Sequence, residues 1–150
     1  MWRSYLQSIG ETPESTDRAY QWWHFCDNQA DADALVELVL QGKKRATAPS
    51  LWFFEESQEP VPKAGDLDVV TDWSATARCV TRSTRVDIVP YLEVGAEFAA
   101  VEGEGDGSLE YWRRVHWPYY RRELEPFGRR PEPDMPIICQ RFEVVFPPSS

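Results

Sequence analysis

The chain has 150 residues, of which 42% are hydrophobic and 13% aromatic, enough for one globular domain that buries about two-thirds of its unfolded surface. A net charge of −9 and a pI near 4.7 argue against a protein that coats duplex DNA, because such proteins neutralise phosphates with a basic face. The longest apolar run, residues 34–40, is broken by Glu37 and is too short to span a bilayer, so no membrane partner is expected.

The polar residues that follow Met1-Trp2-Arg3-Ser4-Tyr5 lack the apolar core of a secretory signal. Cys26, Cys79 and Cys139 are far apart and odd in number, which predicts buried thiols in a cytoplasmic protein, not a disulfide framework or a metal knuckle. The whole of 1–150 reads as one domain, with flexible ends expected at 1–15 and 147–150.

In chain order, Ala19, Trp22, Trp23 and Cys26 recur at helical spacing and predict a helix over 16–25. Asn28 caps a second predicted helix with Ala34, Leu35, Leu38 and Val39 on its buried face, and Gly42 ends it in the left-handed conformation. A short helix after Pro49 carries Leu51, Trp52 and Phe53. Strands are expected over 67–71, 75–81 and 85–89, the last two separated at Arg82-Ser83-Thr84.

Residues 97–101 predict a helical turn that runs into Gly103, Gly105 and Gly107. Ser108 caps a longer helix with Leu109, Trp112 and His116 buried, which Pro118 is expected to kink or end. A closing strand places Ile138, Phe142, Val144 and Phe146 on one side. This series does not alternate as βαβ units do. It fits an α+β fold, a small antiparallel sheet or partly open barrel with helices over it.

Three segments are suited to chemistry. In Gly42-Lys43-Lys44-Arg45-Ala46-Thr47 the three cations partly neutralise the preceding helix dipole as a solvated face. The same segment brings the Lys44 amine near the Thr47 hydroxyl if the backbone turns between them. A desolvated lysine then acts as base towards a threonine nucleophile, or a charged one holds an oxyanion or phosphate.

In Glu102-Gly103-Glu104-Gly105-Asp106-Gly107-Ser108 the glycines either make a turn or let backbone approach a ligand. The carboxylates suit a hard divalent cation or a nearby lysine, although the spacing is not that of an EF-hand. Asp106 and Ser108 equally suit helix capping.

The run 111–122 interleaves aromatics with arginines, which serves base stacking and phosphate contact on single strands, or a core helix with a charged outer face. Its surroundings are locally basic: Arg113, Arg114, Arg121, Arg122, Arg129 and Arg130 stand against Glu110, Glu123 and Glu125. His24 and His116, the only histidines, have no metal-spaced partner in sequence, so no zinc site is expected.

Gly42-x-Lys44-x-x-Thr47 resembles the signature of the ASCH (ASC-1 homology) domain family. The run 100–108, followed by Tyr111-Trp112-Arg113 and His116, resembles its longer bacterial branch, and the likeness spans roughly 35–146. The resemblance implies a PUA-like β-barrel with flanking helices and a cleft for single-stranded RNA or a modified pyrimidine nucleoside.

Two activities follow from that likeness. One is a ribonuclease of single-stranded RNA assisted by manganese or magnesium, with Glu104 and Asp106 as candidate ligands. The other is a metal-free amidohydrolase of N4-acetylcytidine, in which Lys44, Thr47 and Glu102 would be the catalytic set. In either case Lys43, Arg45, Ser108, Trp112, Arg113 and Arg114 are the candidate substrate contacts. A binding module without catalysis is the third reading.

Overall fold

In the computed structural model, which describes residues 1–148, the Asn28 side chain accepts from the Asp31 N–H and opens helix α2 (Gln29–Leu40). Gly42, at φ +74°, lets the Lys43 N–H reach the Leu38 carbonyl and its own N–H reach that of Val39, each at 2.9 Å. This is a Schellman closure, and it turns the chain sharply from α2 into strand β2 (Ala46–Thr47). Ala32, Val36 and Val39 form the buried face of α2, while the expected core residue Ala34 is exposed.

The other elements are α1 (Trp2–Ser8), β1 (Gln21–His24), α3 (Leu51–Ser57), β3 (Leu67–Thr71), β4 (Ala77–Pro90), α4 (Ala96–Glu102), α5 (Leu109–Leu124) and β5 (Pro136–Phe146). The sheet runs β1-β3-β4-β5-β2, with β1 parallel to β3 and the other pairs antiparallel. The α+β expectation holds, but the sheet is open. β1 and β2, four and two residues long, lie at opposite edges and no barrel closes.

Two local expectations, the helix over 16–25 and the break at Arg82-Ser83-Thr84, are corrected. Residues 21–24 form a strand, not part of a helix, because the edge of β3 supplies their backbone partners from Gln21↔Asp68 to His24↔Thr71. β4 is continuous through Arg82-Ser83-Thr84, where its long pairing with β5 absorbs an irregularity between Ser83 and Arg85. Helix α5 passes through Pro118 without ending, since Trp112, His116, Tyr120 and Leu124 stay buried at intervals of four residues and hold it in place. Near the N-terminus, Tyr5 and Leu6 of α1 are buried against Leu67, Val69 and Val80. The tail expected over 147–150 lies partly outside the described residues.

Two further clusters make up the core. One places α4 and α5 on β5 around Phe98, Trp112, Tyr120 and Ile137; the other packs Val36 and Val39 of α2 on Val70, Cys79 and Phe142. The Tyr120 hydroxyl donates to the Ala48 carbonyl at 2.6 Å, tying α5 to the chain just after β2. A cleft opens where residues 25–26, the first half of α2, the chain at Thr47–Pro49, the α4–α5 connection and α5 converge.

Candidate active site

Lys44 follows directly on the Schellman turn, which aims its side chain inward to 1% exposure. Its Nζ donates to the Ala46 carbonyl at 2.8 Å and to Glu104 Oε1 at 2.9 Å, lies 3.8 Å from Glu102 Oε2, and sits 5.0 Å from the centre of the Phe25 ring. Glu104 rather than Glu102 is thus the closer partner of the lysine.

Gly103 makes this packing possible. A Cβ there would stand 1.9 Å from the Lys43 carbonyl oxygen, and its φ is +70°, so only glycine allows α4 to end against the Lys43–Lys44 backbone. The Arg45 N–H donates to the Val101 carbonyl at 3.0 Å and clamps the same junction.

Helix α5 delivers a residue that sequence reasoning set aside. His116 stacks on Trp112 with ring centres 4.3 Å apart and planes 13° from parallel, and its Nδ1–H donates to the Trp112 carbonyl at 2.8 Å. Nε2 is thereby turned to the carboxylates, 3.1 Å from Glu102 Oε2 and 4.0 Å from Glu104 Oε2. The signal available in sequence was the i, i+4 spacing of Trp112 and His116 on one helical face.

The electrostatics are strongly coupled. Burial opposes the charge on Glu102, but His116 and Lys44 outweigh it and hold the carboxyl below the usual range. Burial likewise disfavours the charged form of His116, and the Glu102 charge overcomes it and raises the imidazole above its ordinary value. Both carboxylate oxygens of Glu102 are buried without a hydrogen-bond partner of good geometry among the described residues, the His116 contact being one of charge and proximity.

Glu104, His116 and Thr47 line a cavity of about 360 Å³ together with Phe25, Tyr111 and Tyr119; Lys44 and Glu102 are not among its lining residues. A second cavity of about 290 Å³ adjoins the first, and Phe25, Cys26, Thr47, Pro49 and Tyr119 line both. Thr47 therefore stands where the two hollows meet. The Lys44 amine is committed to Ala46 and Glu104, and no hydrogen bond joins it to Thr47 among the described residues.

The remaining predicted residues divide sharply. Lys43, Arg45, Arg113 and Arg114 are exposed, with Arg114 lying 5.3 Å over the Tyr111 ring. The Ser108 hydroxyl caps α5 by accepting from the Tyr111 N–H at 3.1 Å. The expectation that Trp112 contacts substrate is corrected, because it is 2% exposed and serves as the platform under His116. Asp106 lies outside the cluster that Glu104 forms with Glu102 and His116. It is exposed, and its carboxylate accepts from the Ser108 N–H at 2.9 Å.

A different set could hold a cation. Single ligand atoms of Glu102, Glu104 and His116 lie within 4.8 Å of one another. The Glu102 oxygens, buried without a hydrogen bond of good geometry among the described residues, and the fixed His116 tautomer fit a divalent ion, and a mixed carboxylate–imidazole set suits manganese better than magnesium.

The family model of the ASCH domain matches residues 21–146. The chain is similar in structure to an ASCH domain from Lactobacillus crispatus JV V101, with a TM-score of 0.87, 32% identity, and coverage of 96% of this chain and 91% of that one. It is also similar to protein EF3133 from Enterococcus faecalis V583, with a TM-score of 0.83, 33% identity, and coverage of 95% and 84%. The hypothetical protein PH0355, at 15% identity and a TM-score of 0.54, shares the fold alone. No functionally curated protein matches the chain.

Proposed function

Because the chain belongs to the ASCH domain family, whose PUA-like fold is associated with RNA binding, we propose that it recognises single-stranded RNA and hydrolyses it with the help of a divalent cation. The observation that carries this reading is the Glu102 carboxylate, 1% exposed, 3.1 Å from His116 Nε2 and 3.8 Å from the Lys44 amine, beside a cavity that His116 and Glu104 line.

Glu102, Glu104 and His116 would hold the ion, which when bound supplies Lewis-acid polarisation of a phosphoryl oxygen. The chain's own groups perform the rest. The Trp112 carbonyl fixes the His116 tautomer, so the Nε2 lone pair faces the carboxylates once its proton is released. Lys44 offsets part of the carboxylate charge and anchors Glu104 through one oxygen, leaving Oε2 towards His116. Phe25, Tyr111 and Tyr119 give the cavity aromatic surface for a splayed base, and Arg122, held by Asp27 at 2.7 Å, brings a cation to its rim.

The test is cleavage of a labelled single-stranded RNA with manganese or magnesium. Cleavage by the wild type and its loss in Glu102→Gln and Lys44→Ala support the reading; equal rates in all three end it.

The position of Thr47 favours a second reading, amidohydrolysis of N4-acetylcytidine. Its side chain borders a cavity of about 360 Å³, which suits one nucleoside better than a strand. In that reaction the Thr47 hydroxyl would attack the acetyl carbonyl as Lys44, oriented by Glu102, takes its proton; the amide C–N bond would break as cytidine leaves with that proton, and water would hydrolyse the acetyl-threonine ester to acetate. Chromatography after incubation distinguishes the two: release of cytidine without metal supports this reading, and persistence of the substrate removes it.

A further inference from the structure

The second cavity has walls of a different character from the first. Trp22, Trp23, Phe53 and Phe54 line it, and Trp22 is 63% exposed, the most exposed large hydrophobic side chain among the described residues. An indole on an edge strand beside three further aromatic side chains is a stacking surface without an internal partner.

The charged lining is one-sided. Asp68 of β3 is 6% exposed, and no lysine or arginine of the described residues lies within ion-pair distance of it. Burial pushes its carboxyl up to about 6 against the hydrogen bond from Trp23. Gln140, 3% exposed, spends its amide nitrogen on the Ser83 hydroxyl at 2.8 Å, which leaves its carbonyl oxygen as a second acceptor. Glu59 and Asp66 also line the cavity, and no lysine or arginine does. Such carboxylates disfavour phosphate and favour neutral N–H donors.

We propose that this cavity is a base-binding subsite that takes a guanine, its N1–H and N2–H donated to the Asp68 carboxylate while its ring stacks among the aromatic side chains. Guanine is the RNA base that presents two adjacent N–H donors on its pairing edge. Adenine and cytosine set a ring-nitrogen lone pair beside their amino group, and uracil flanks its single N–H with two carbonyls, so each would turn an acceptor towards the carboxylate. A volume of about 290 Å³ suits one nucleoside. Through the shared wall at Thr47 and Tyr119, a guanine there would adjoin the nucleotide in the first cavity. The RNA source of this guanine rests on the function proposed above, but the base contacts do not.

The experiment measures binding of the nucleosides guanosine, inosine, adenosine, cytidine and uridine to the full chain by calorimetry. Guanosine should bind tightest. Inosine, which lacks only the 2-amino group, should bind about 10-fold more weakly, the worth of a hydrogen bond to a charged group. Asp68→Asn, checked for folding by circular dichroism, should remove the preference for guanosine over inosine. Trp22→Ala, at an exposed position, should weaken all five by about 10-fold. Equal affinity across the bases, or a guanosine preference that survives Asp68→Asn, overturns the subsite. RNA cleavage is scored separately: a guanosine preference without cleavage leaves the subsite standing and removes the hydrolase, and cleavage without base preference does the reverse.

Discussion

His116 Nε2 stands 3.1 Å from Glu102 Oε2, so a residue of α5 and the last residue of α4 form a buried ion pair against the Lys44–Glu104 pair. Removing one member leaves an uncompensated charge in the interior. His116→Gln should therefore cost about 3 kcal/mol in urea denaturation. In a cycle with Glu102→Gln the double variant should lose much less than the sum of the single losses. Additive losses would mean that the two groups are not coupled.

Gly103 and Gly107 separate close approach from backbone strain. Both have positive φ, but a Cβ at Gly107 meets only ordinary contact with Ala100 at 3.9 Å, whereas at Gly103 it collides with the Lys43 carbonyl. Gly107→Ala should cost about 1 kcal/mol, and Gly103→Ala clearly more because the Lys43–Lys44 backbone must move. Equal thermal shifts would contradict the tight junction.

Glu123 sets a pH dependence. Burial raises its carboxyl to about 7, with the Tyr119 hydrogen bond opposing and Asp27 and Glu59 adding to the rise. Between its unfolded value of 4.5 and about 7 the native state holds a proton that the unfolded chain has released. Its contribution to stability is thus complete below 4.5 and declines as pH rises through about 7. Asp68, raised to about 6, acts in the same direction. Glu123→Gln should gain on the order of 1–3 kcal/mol over the wild type at pH 8 and little at pH 4.5. Denaturation curves at the two pH values decide, and a gain independent of pH would assign the effect to packing.

Manganese should stabilise the folded chain. At a hundredfold excess over the dissociation constant the gain is about 2.7 kcal/mol, and a chelator reverses it. Binding should tighten as pH rises, because the raised imidazole of His116 must lose its proton to become a ligand. The shift in thermal midpoint should vanish in Glu102→Gln. A metal response that survives this change would locate the ion elsewhere.

Thr47→Val keeps the shape of a half-buried side chain and deletes its hydroxyl. If amidohydrolysis is the reaction, turnover of N4-acetylcytidine should fall by more than 100-fold with little change in midpoint. Unchanged turnover would exclude Thr47 as nucleophile.

What the sequence determined by itself was local. Asn28 and Gly42 marked both ends of α2, Ser108 the start of α5, and Gly42-x-Lys44-x-x-Thr47 the segment at the cleft, because caps, turns and short motifs are settled by neighbours in the chain. Tertiary structure decided whatever depends on distant partners. Trp22 and Trp23 have helical spacing, yet β3 claims their backbone; Pro118 weakens α5, yet the buried Trp112–Leu124 face carries the helix past it. His116 joins Glu102 and Glu104 only when α5 packs beside α4. The packing of α2, α4 and α5 on one sheet brings Lys44 to Glu104, sixty residues away, since charges meet through space and leave no periodic trace along the chain.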